Sequence, residues 1–172
     1  MTDEPLFRAI HETPLGPLTL TATARGLTAL HFPGRAPVID LAEGATPALD
    51  AARAELDAYF AGDLRAFTVP LDLAGTAFQR DVWALLRTIP YGETTTYGEL
   101  AARVGGPSHV RAVAGAIART PVPIVIPCHR VVGADGALTG YLGGLQRKEA
   151  LLTLEHAGAP EPAWAFRQTA LL

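Results

Sequence analysis

Residues 96–119, TYGELAARVGGPSHVRAVAGAIAR, decide the fold of the second half of the chain. They open with a threonine that is followed three residues later by a glutamate, a capping-box spacing that predicts a helix over residues 97–104. The sequence GGPS interrupts the helical pattern, and Ser108 is the expected N-cap of a second helix over residues 109–119. Two short helices joined by a glycine-containing turn are typical of a helix-turn-helix.

The second helix of this motif is rich in small residues and carries one early positive charge, Arg111. A helix that reads base edges in the major groove usually presents arginine, asparagine or glutamine. Two interpretations therefore remain. The helix packs closely on a neighbouring helix, or it lies against a nucleic-acid backbone without reading the base sequence.

Other elements of the second half follow from local patterns. A threonine and glutamine capping box opens a helix over residues 76–89, and a final helix is expected over residues 145–156. Residues 131–137 indicate a strand, a turn and a returning strand. The glycine-rich segment 138–144 lacks the spacing and the lysine of a phosphate-binding loop. The tail from residue 160 is interpreted as a surface strap or a mobile end.

The first half has a different pattern. Residues 18–23 and 27–32 alternate apolar and polar side chains around an Arg-Gly turn, which predicts a β-hairpin. A loop over residues 33–46, a helix over 47–60 and a short strand over 67–71 are expected to follow. A linker then places the domain boundary at residue 75, giving domains over residues 1–75 and 76–172.

Composition bounds the class of protein. The chain has 172 residues and a net charge of −3, with 49% hydrophobic residues and no apolar run of the roughly 18 residues that a membrane span needs. Residues 1–75 carry five basic and ten acidic side chains, whereas residues 76–172 carry nine basic and seven acidic ones. The second half is therefore the better partner for a polyanion. The five histidines lack metal-ligand spacing, so no metal site is expected.

The single cysteine is the main candidate for chemistry. Cys128 follows an apolar run, residues 124–126, that indicates a buried strand. One thiol cannot form an intramolecular disulfide, and its presence suits a reducing cytoplasm. It is either a small buried hydrophobic residue or a nucleophile, with His129 as a nearby base and Arg130 as a positive charge that favours the thiolate.

Motifs around this cysteine closely resemble those of the O6-alkylguanine-DNA alkyltransferases, also called methylated-DNA–protein-cysteine methyltransferases. The resemblance runs from about Gly75 to Gly158, and a looser match covers residues 13–18 and 26–27. The matching motifs are FQRDVW at 78–83, TYGELA at 96–101, RAV at 111–113, PVPI at 121–124, PCHRV at 127–131 and GGL at 143–145.

This resemblance implies an α/β ribonuclease-H-like N-terminal domain and a mainly α, winged-helix-like C-terminal domain. It also implies that a monomer binds double-stranded DNA and flips out an alkylated guanine. The O6-alkyl group, and the O4-alkyl group of thymine, would then move once and irreversibly to the cysteine sulfur. No cofactor is implied, because the thiol is itself the reagent.

The resemblance also assigns roles within the site. Cys128 would be the nucleophile and His129 would accept its proton through a water molecule. Glu155 would orient His129, and Tyr97 would hydrogen-bond the flipped base. The substrate pocket would be lined by Tyr97, Val131, Tyr141, Leu142 and Gly143.

Contact with DNA would come from the small-residue helix and the residue that opens the helix-turn-helix. Arg111 would fill the gap left by the flipped nucleotide, and small side chains would let the helix sit close in the minor groove. The DNA-contacting residues would be Thr96, Arg111, Ala112, Gly115, Ala116 and Arg119.

Two positions depart from the family pattern. Thr120 stands where the family usually has an asparagine hinge, and one hydroxyl replaces only part of the hydrogen bonding of an amide. A looser or slower site is therefore hypothesised. Leu142 stands where some members have serine, and little loss is expected because that contact is made by backbone N–H.

With no cysteine in the first domain, the zinc site of some members is not expected here.

Two other functions remain as alternatives. One is a damage-recognition protein that binds alkylated DNA without repairing it, as relatives lacking the cysteine do. The other is a cysteine hydrolase using Cys128 and His129, which is disfavoured because no oxyanion or triad pattern accompanies the pair.

Overall fold

The computed structural model describes residues 4–157 and separates into two compact units. Within the described residues, the N-terminal unit comprises residues 4–75 together with Pro121–Val125, and the C-terminal unit comprises Thr76–Thr120 and residues 126–157. The segment Pro121–Val125 is thus grouped with the N-terminal unit although it lies far along the chain. The tail from residue 160, interpreted from the sequence as a surface strap or a mobile end, lies outside the described residues.

A four-stranded sheet with the order β3-β2-β1-β4 forms the N-terminal unit. Strands β1 (Phe7–Thr13), β2 (Gly16–Ala22) and β3 (Leu27–His31) are antiparallel neighbours, and the short β4 (Ala42–Glu43) runs parallel to β1. The hairpin predicted from residues 18–32 is confirmed. Strand β1 was not predicted, because its sequence FRAIHET lacks the dense β-branched alternation of β2.

Helix α1 (Pro47–Phe60) covers this sheet and matches its predicted range. The Thr46 side chain accepts a hydrogen bond from the Leu49 backbone N–H, and a proline at the first helical position suits the missing donor there. Leu49, Leu56 and Tyr59 are buried, so one stripe of the helix contributes to the core.

The strand predicted over residues 67–71 is wrong, since this segment makes only an isolated bridge between Leu71 and Leu27. The backbone N–H groups of Thr68 and Val69 donate instead to the carboxylate of Glu55 on α1. A side chain therefore takes the donors that a continuous ladder would have used.

Four helices dominate the C-terminal unit: α2 (Ala77–Leu86), α3 (Tyr97–Val104), α4 (Val110–Ala118) and α5 (Leu145–Glu155). Both predicted capping boxes are present, at the start of α2 and of α3. Helix α4 packs against α2 and α3. Helix α2 is shorter than predicted, because residues 87–89 form turns after it.

The predicted N-cap of α4 is wrong. Pro107–His109 form a turn of 3-10 helix, and His109 takes the N-cap position without a side-chain capping bond. The Ser108 hydroxyl is instead hydrogen-bonded to the His109 ring at Nδ1. A proline at the start of the 3-10 turn shifts the start of α4 by one residue relative to the prediction.

The apolar run Ile124–Ile126 is buried, but it is a turn rather than the predicted strand. Pro123 and Pro127 flank it directly, and a residue without an N–H cannot donate to a strand ladder. Ile124 has a φ of 75°, a left-handed conformation that is strained for a β-branched side chain.

Two short strands, β5 (Thr95–Thr96) and β6 (Val131–Val132), pair in parallel within the C-terminal unit. The predicted strand after the cysteine is therefore confirmed for two residues, whereas Gly133–Ala137 form a turn and no returning strand. None of the helices within residues 4–157 is long and apolar enough to cross a membrane.

Candidate active site

The lone thiol lies in a single turn of 3-10 helix, Cys128–Arg130, immediately before β6. The Cys128 backbone N–H donates to the Ile126 carbonyl at 2.7 Å, which turns the chain sharply at the sulfur. Cys128 is 3% exposed, and burial raises the pKa of its thiol to about 12. The free protein therefore keeps this sulfur protonated and weakly nucleophilic.

Two side chains, together with the backbone groups of Cys128 and His129, oppose the effect of burial on the pKa of the Cys128 thiol. The Thr120 side chain hydrogen-bonds to it, and the positive charge of Lys148 favours the thiolate. Thr120 is itself buried, and its hydroxyl donates to the Ile117 carbonyl at 2.7 Å. The threonine therefore connects the last turn of α4 to the sulfur.

His129 and Glu155 form a fully buried pair, with 2.7 Å between Nε2 and Oε1. Burial lowers the pKa of His129, although the Glu155 carboxylate raises it in part. The imidazole is therefore neutral at physiological pH, and its Nε2 proton is the one donated to Glu155. The other ring nitrogen, Nδ1, is buried without a hydrogen-bond partner among residues 4–157 and keeps a free lone pair.

Arg130 acts on the carboxylate of this pair rather than on the thiol. Its guanidinium donates to both Glu155 oxygens, from Nε to Oε2 at 2.9 Å and from Nη2 to Oε1 at 2.8 Å, and Nη1 donates to the Ile89 carbonyl at 2.6 Å. Burial would raise the pKa of Glu155, but the bonds and charges of His129 and Arg130 outweigh it and hold that pKa well below its usual range. The expectation that Arg130 supplies the thiol's positive charge is wrong, because Glu155 neutralises it.

Lys148 on α5 is a site residue that the sequence interpretation missed. It is fully buried, and its Nζ donates to the carbonyls of Val131 at 2.6 Å and Thr139 at 2.8 Å, while no carboxylate within the described part of the chain forms an ion pair with it. Burial lowers its pKa to about 8. Lys148 is the only lysine among the 14 basic residues of the sequence, and this rarity is the feature that could have identified it as a site residue.

Three of the five predicted pocket residues, Tyr97, Val131 and Tyr141, are linked by contacts to these buried groups. The Tyr141 ring meets the His129 ring edge-on at 6.5 Å between centroids, and Tyr97 stands at the first position of α3. The Val131 carbonyl already accepts from Lys148. Leu142 is half-buried and Gly143 is buried, with its carbonyl accepting from Arg147.

Helix α4 presents an outward face that contains most of the predicted DNA-contacting residues. Arg111, Ala112 and Arg119 are exposed, and Gly115 is half-buried. Ala118 is also exposed and was not predicted, although it lies two turns along the same face as Arg111.

Two of the predicted DNA contacts are restricted in this structure. Ala116 is 3% exposed and its carbonyl accepts from Trp83 Nε1 at 2.9 Å, and its contact with DNA stays a prediction. It lies on the side of α4 that packs on α2. Thr96 is half-buried, and its hydroxyl accepts from the Glu99 backbone N–H as the cap of α3.

No cluster of three or more histidine, cysteine, aspartate or glutamate side chains that could hold a metal ion occurs within residues 4–157. The site thus consists of four side-chain groups. They are the protonated thiol of Cys128, the neutral imidazole of His129, the ionised carboxylate of Glu155 and the buried ammonium of Lys148. This set can transfer a proton away from sulfur and stabilise the resulting thiolate.

Comparison with known proteins gives consistent matches along the chain. Residues 77–157 match the family model for the DNA binding domain of 6-O-methylguanine DNA methyltransferase, and residues 6–73 match its ribonuclease-like domain. A methylated-DNA–protein-cysteine methyltransferase of Mycobacterium tuberculosis is 48% identical over 93% of this chain and 98% of that protein. One from Methanosarcina acetivorans is 46% identical over 87% of this chain and 98% of that protein.

Solved structures show the same likeness. The crystal structure of Mycobacterium tuberculosis OGT in complex with DNA superposes with a TM-score of 0.80 at 46% identity, covering 90% of this chain and 94% of that one. The match extends over both units, so an N-terminal ribonuclease-like domain and a C-terminal DNA-binding helical domain describe the fold.

Proposed function

The chain belongs to the 6-O-methylguanine DNA methyltransferase family, and from this premise we propose that it repairs DNA by accepting the alkyl group of O6-alkylguanine on Cys128. The protein is a single-use methyltransferase, since the thioether that forms is not reversed. Its partner is double-stranded DNA carrying the damaged base, and O4-alkylthymine is a second substrate in the proposal.

The observation that carries the proposal is His129 Nδ1, which is buried without a hydrogen-bond partner within residues 4–157 and belongs to the residue next to the single cysteine of the sequence. The Cys128 proton passes through a water molecule to Nδ1, and the sulfur attacks the alkyl carbon. The bond between that carbon and O6 breaks as the thioether forms. Glu155 stabilises the imidazolium through Nε2, which is the nucleophile, base and orienter arrangement without an acyl intermediate.

Tyr97 donates its phenolic proton to the flipped base and offsets the charge that develops on the leaving guanine. The pocket around it is formed by Val131, Tyr141, Leu142 and Gly143. Burial of the neighbouring groups supports this assignment, because a hydrogen bond in a water-poor pocket is worth more to the transition state than one in water.

Helix α4 lies in the minor groove, with Arg111 replacing the flipped nucleotide and Gly115 giving the backbone a close approach. The exposed face of α4 supports this placement. Residues 76–172 form the alkyl-transfer domain, with a winged-helix-like arrangement of α3, α4 and the β5-β6 pair. Residues 1–75 form the ribonuclease-H-like domain. The protein acts as a monomer in the cytoplasm, which suits its free thiol.

One experiment tests the proposal against its alternatives. The protein is incubated with a duplex containing one O6-methylguanine, and its intact mass is measured over time. A gain of one methyl group per molecule, absent in Cys128→Ala, is the expected result. Binding without a mass gain would indicate a recognition protein instead. Repeated turnover of an ester or amide substrate without a lasting mass change would indicate a hydrolase.

A further inference from the structure

The loop that follows β6 brings a hydroxyl to Tyr97. Thr139 Oγ1 lies 3.4 Å from the Tyr97 hydroxyl oxygen and donates to it. Within residues 4–157 the Tyr97 hydroxyl has no other hydrogen-bond partner. The threonine side chain is exposed at this point, so the contact is not a consequence of core packing.

The backbone of Thr139 is held in place by a clamp, defined here as the two hydrogen bonds of Lys148 Nζ. One bond goes to the Val131 carbonyl in β6 and the other to the Thr139 carbonyl, at 2.6 and 2.8 Å. Strand β6 pairs with β5, and Tyr97 follows β5 directly. Both partners of the Thr139–Tyr97 contact are thus anchored to the same pair of short strands.

The turn before Thr139 sets the direction of its side chain. Gly133 N–H donates to the Ala137 carbonyl at 2.8 Å, and Asp135 Oδ1 accepts from the Ala137 N–H at 3.0 Å. A Cβ on Gly133 would lie 3.5 Å from the Thr139 methyl carbon. The methyl group therefore packs over the turn, which leaves the hydroxyl free to reach Tyr97.

The direction of the hydrogen bond has a chemical consequence. A phenol has one proton, and because Thr139 supplies the proton of this contact, Tyr97 keeps its own for another acceptor. Accepting a bond also strengthens a hydroxyl as a donor. The 3.4 Å separation exceeds the usual value of about 2.8 Å, and such bonds in free enzymes commonly tighten when substrate binds.

We propose that Thr139 is a positioning residue for alkyl transfer, and that its hydroxyl holds the Tyr97 hydroxyl so that the Tyr97 proton points at the flipped base. The inference rests on the proposed function and adds to it a residue that acts through Tyr97. It concerns the Thr139 hydroxyl alone, because the Lys148 clamp uses the backbone carbonyl.

The test compares single-turnover methyl transfer from a duplex with O6-methylguanine in Thr139→Val, Thr139→Ser, Tyr97→Phe and the Tyr97→Phe/Thr139→Val double variant. Valine keeps the branched shape and the carbonyl that Lys148 binds, and removes only the hydroxyl. Thr153→Val, an exposed threonine on α5, is the matched control and is expected to react at the wild-type rate. Thermal melts of all variants check that they are folded.

Thr139→Val is expected to slow transfer about fivefold, the factor that corresponds to the loss of one neutral hydrogen bond. Thr139→Ser restores most of that rate. In the Tyr97→Phe background, Thr139→Val causes no further loss.

An unchanged rate in Thr139→Val overturns the inference, as does an equal loss in the Tyr97→Phe background, which would show that Thr139 does not act through Tyr97. If the wild-type protein itself gains no methyl group, the proposed function and this inference fall together. If the wild type gains a methyl group and Thr139→Val reacts at the same rate, the inference about Thr139 is wrong and the proposed function stands.

Discussion

Gly115→Ala separates the stability of α4 from its proposed contact with DNA. In the free protein a Cβ at this position would have one neighbour within 4 Å, Arg119 Nη1 at 3.6 Å, which is an ordinary contact with the flexible end of a side chain. Gly115 lies inside α4 and has a helical backbone conformation. Alanine therefore fits without strain.

The substitution is expected to stabilise the free protein and to slow its repair of duplex DNA. Replacing a glycine in a helix interior by alanine stabilises a protein by about 0.4–1 kcal/mol. For a protein of this size that gain raises the melting temperature by roughly 1–4 °C. In the complex, the added methyl group would keep α4 from its closest approach to the minor groove. A misplacement of about 1 Å at a reacting centre costs on the order of a hundredfold in rate, so a loss of at least tenfold on duplex DNA is expected.

Calorimetry measures the first effect, and intact-mass kinetics on a methylated duplex measure the second. Reaction with a free O6-alkylguanine base is the control, because it needs no groove contact and should keep its rate. A more stable protein that repairs duplex DNA at the wild-type rate would refute the close approach at Gly115. Equal losses on both substrates would instead locate the effect at the thiol.

Four further predictions follow from the site. Arg111→Ala should slow duplex repair more than reaction with the free base, measured by intact mass, and equal losses would count against its role in base flipping. Glu155→Gln should lower the free energy of unfolding by about 3–5 kcal/mol in urea titrations because it leaves a buried guanidinium unpaired, whereas exposed Glu93→Gln should not. If Thr120 makes a slower site than the asparagine usual in the family, Thr120→Asn should speed methyl transfer. An unchanged rate would reject the hypothesis that Thr120 slows the site. Burial lowers the pKa of His129, so below about pH 6.5 this imidazole is protonated in the unfolded chain while it stays neutral in the folded protein. Stability in thermal melts should therefore fall as the pH drops below that value, and less so in His129→Gln.

Local chemistry made parts of the fold predictable from sequence. The capping boxes at Thr76 and Thr96 start α2 and α3 as expected. In each box, the side chains that bond the first backbone N–H groups lie within four consecutive residues of the sequence. The hairpin of β2 and β3 was predictable for a similar reason, since alternation and a short turn are both local. Long-range competition was not predictable. The donors of Thr68 and Val69 are taken by Glu55, thirteen or more residues away in sequence.

The site shows the same division. The pairing of His129 with Glu155 was expected from the family resemblance, and the two side chains lie 2.7 Å apart. The partners of Arg130 and Lys148 were not predictable, because both depend on carbonyls and carboxylates that only the folded chain brings close. The burial of Ala116 was not predictable either, because a small residue suits equally a groove and a helix–helix contact.

The buried thiol agrees with single use of Cys128. Oxidation and adventitious alkylation both require an accessible thiolate, and burial, which raises the pKa of this thiol to about 12, keeps it protonated at neutral pH. A reagent that is consumed once gains from this protection, but the same burial slows the intended reaction. Two side chains that favour the thiolate act on the sulfur, Lys148 and Thr120, and the adjacent residue His129 has no hydrogen-bond partner at Nδ1 within residues 4–157. In the proposed reaction these groups belong to the folded protein, and the flipped base supplies the alkyl carbon that the sulfur attacks.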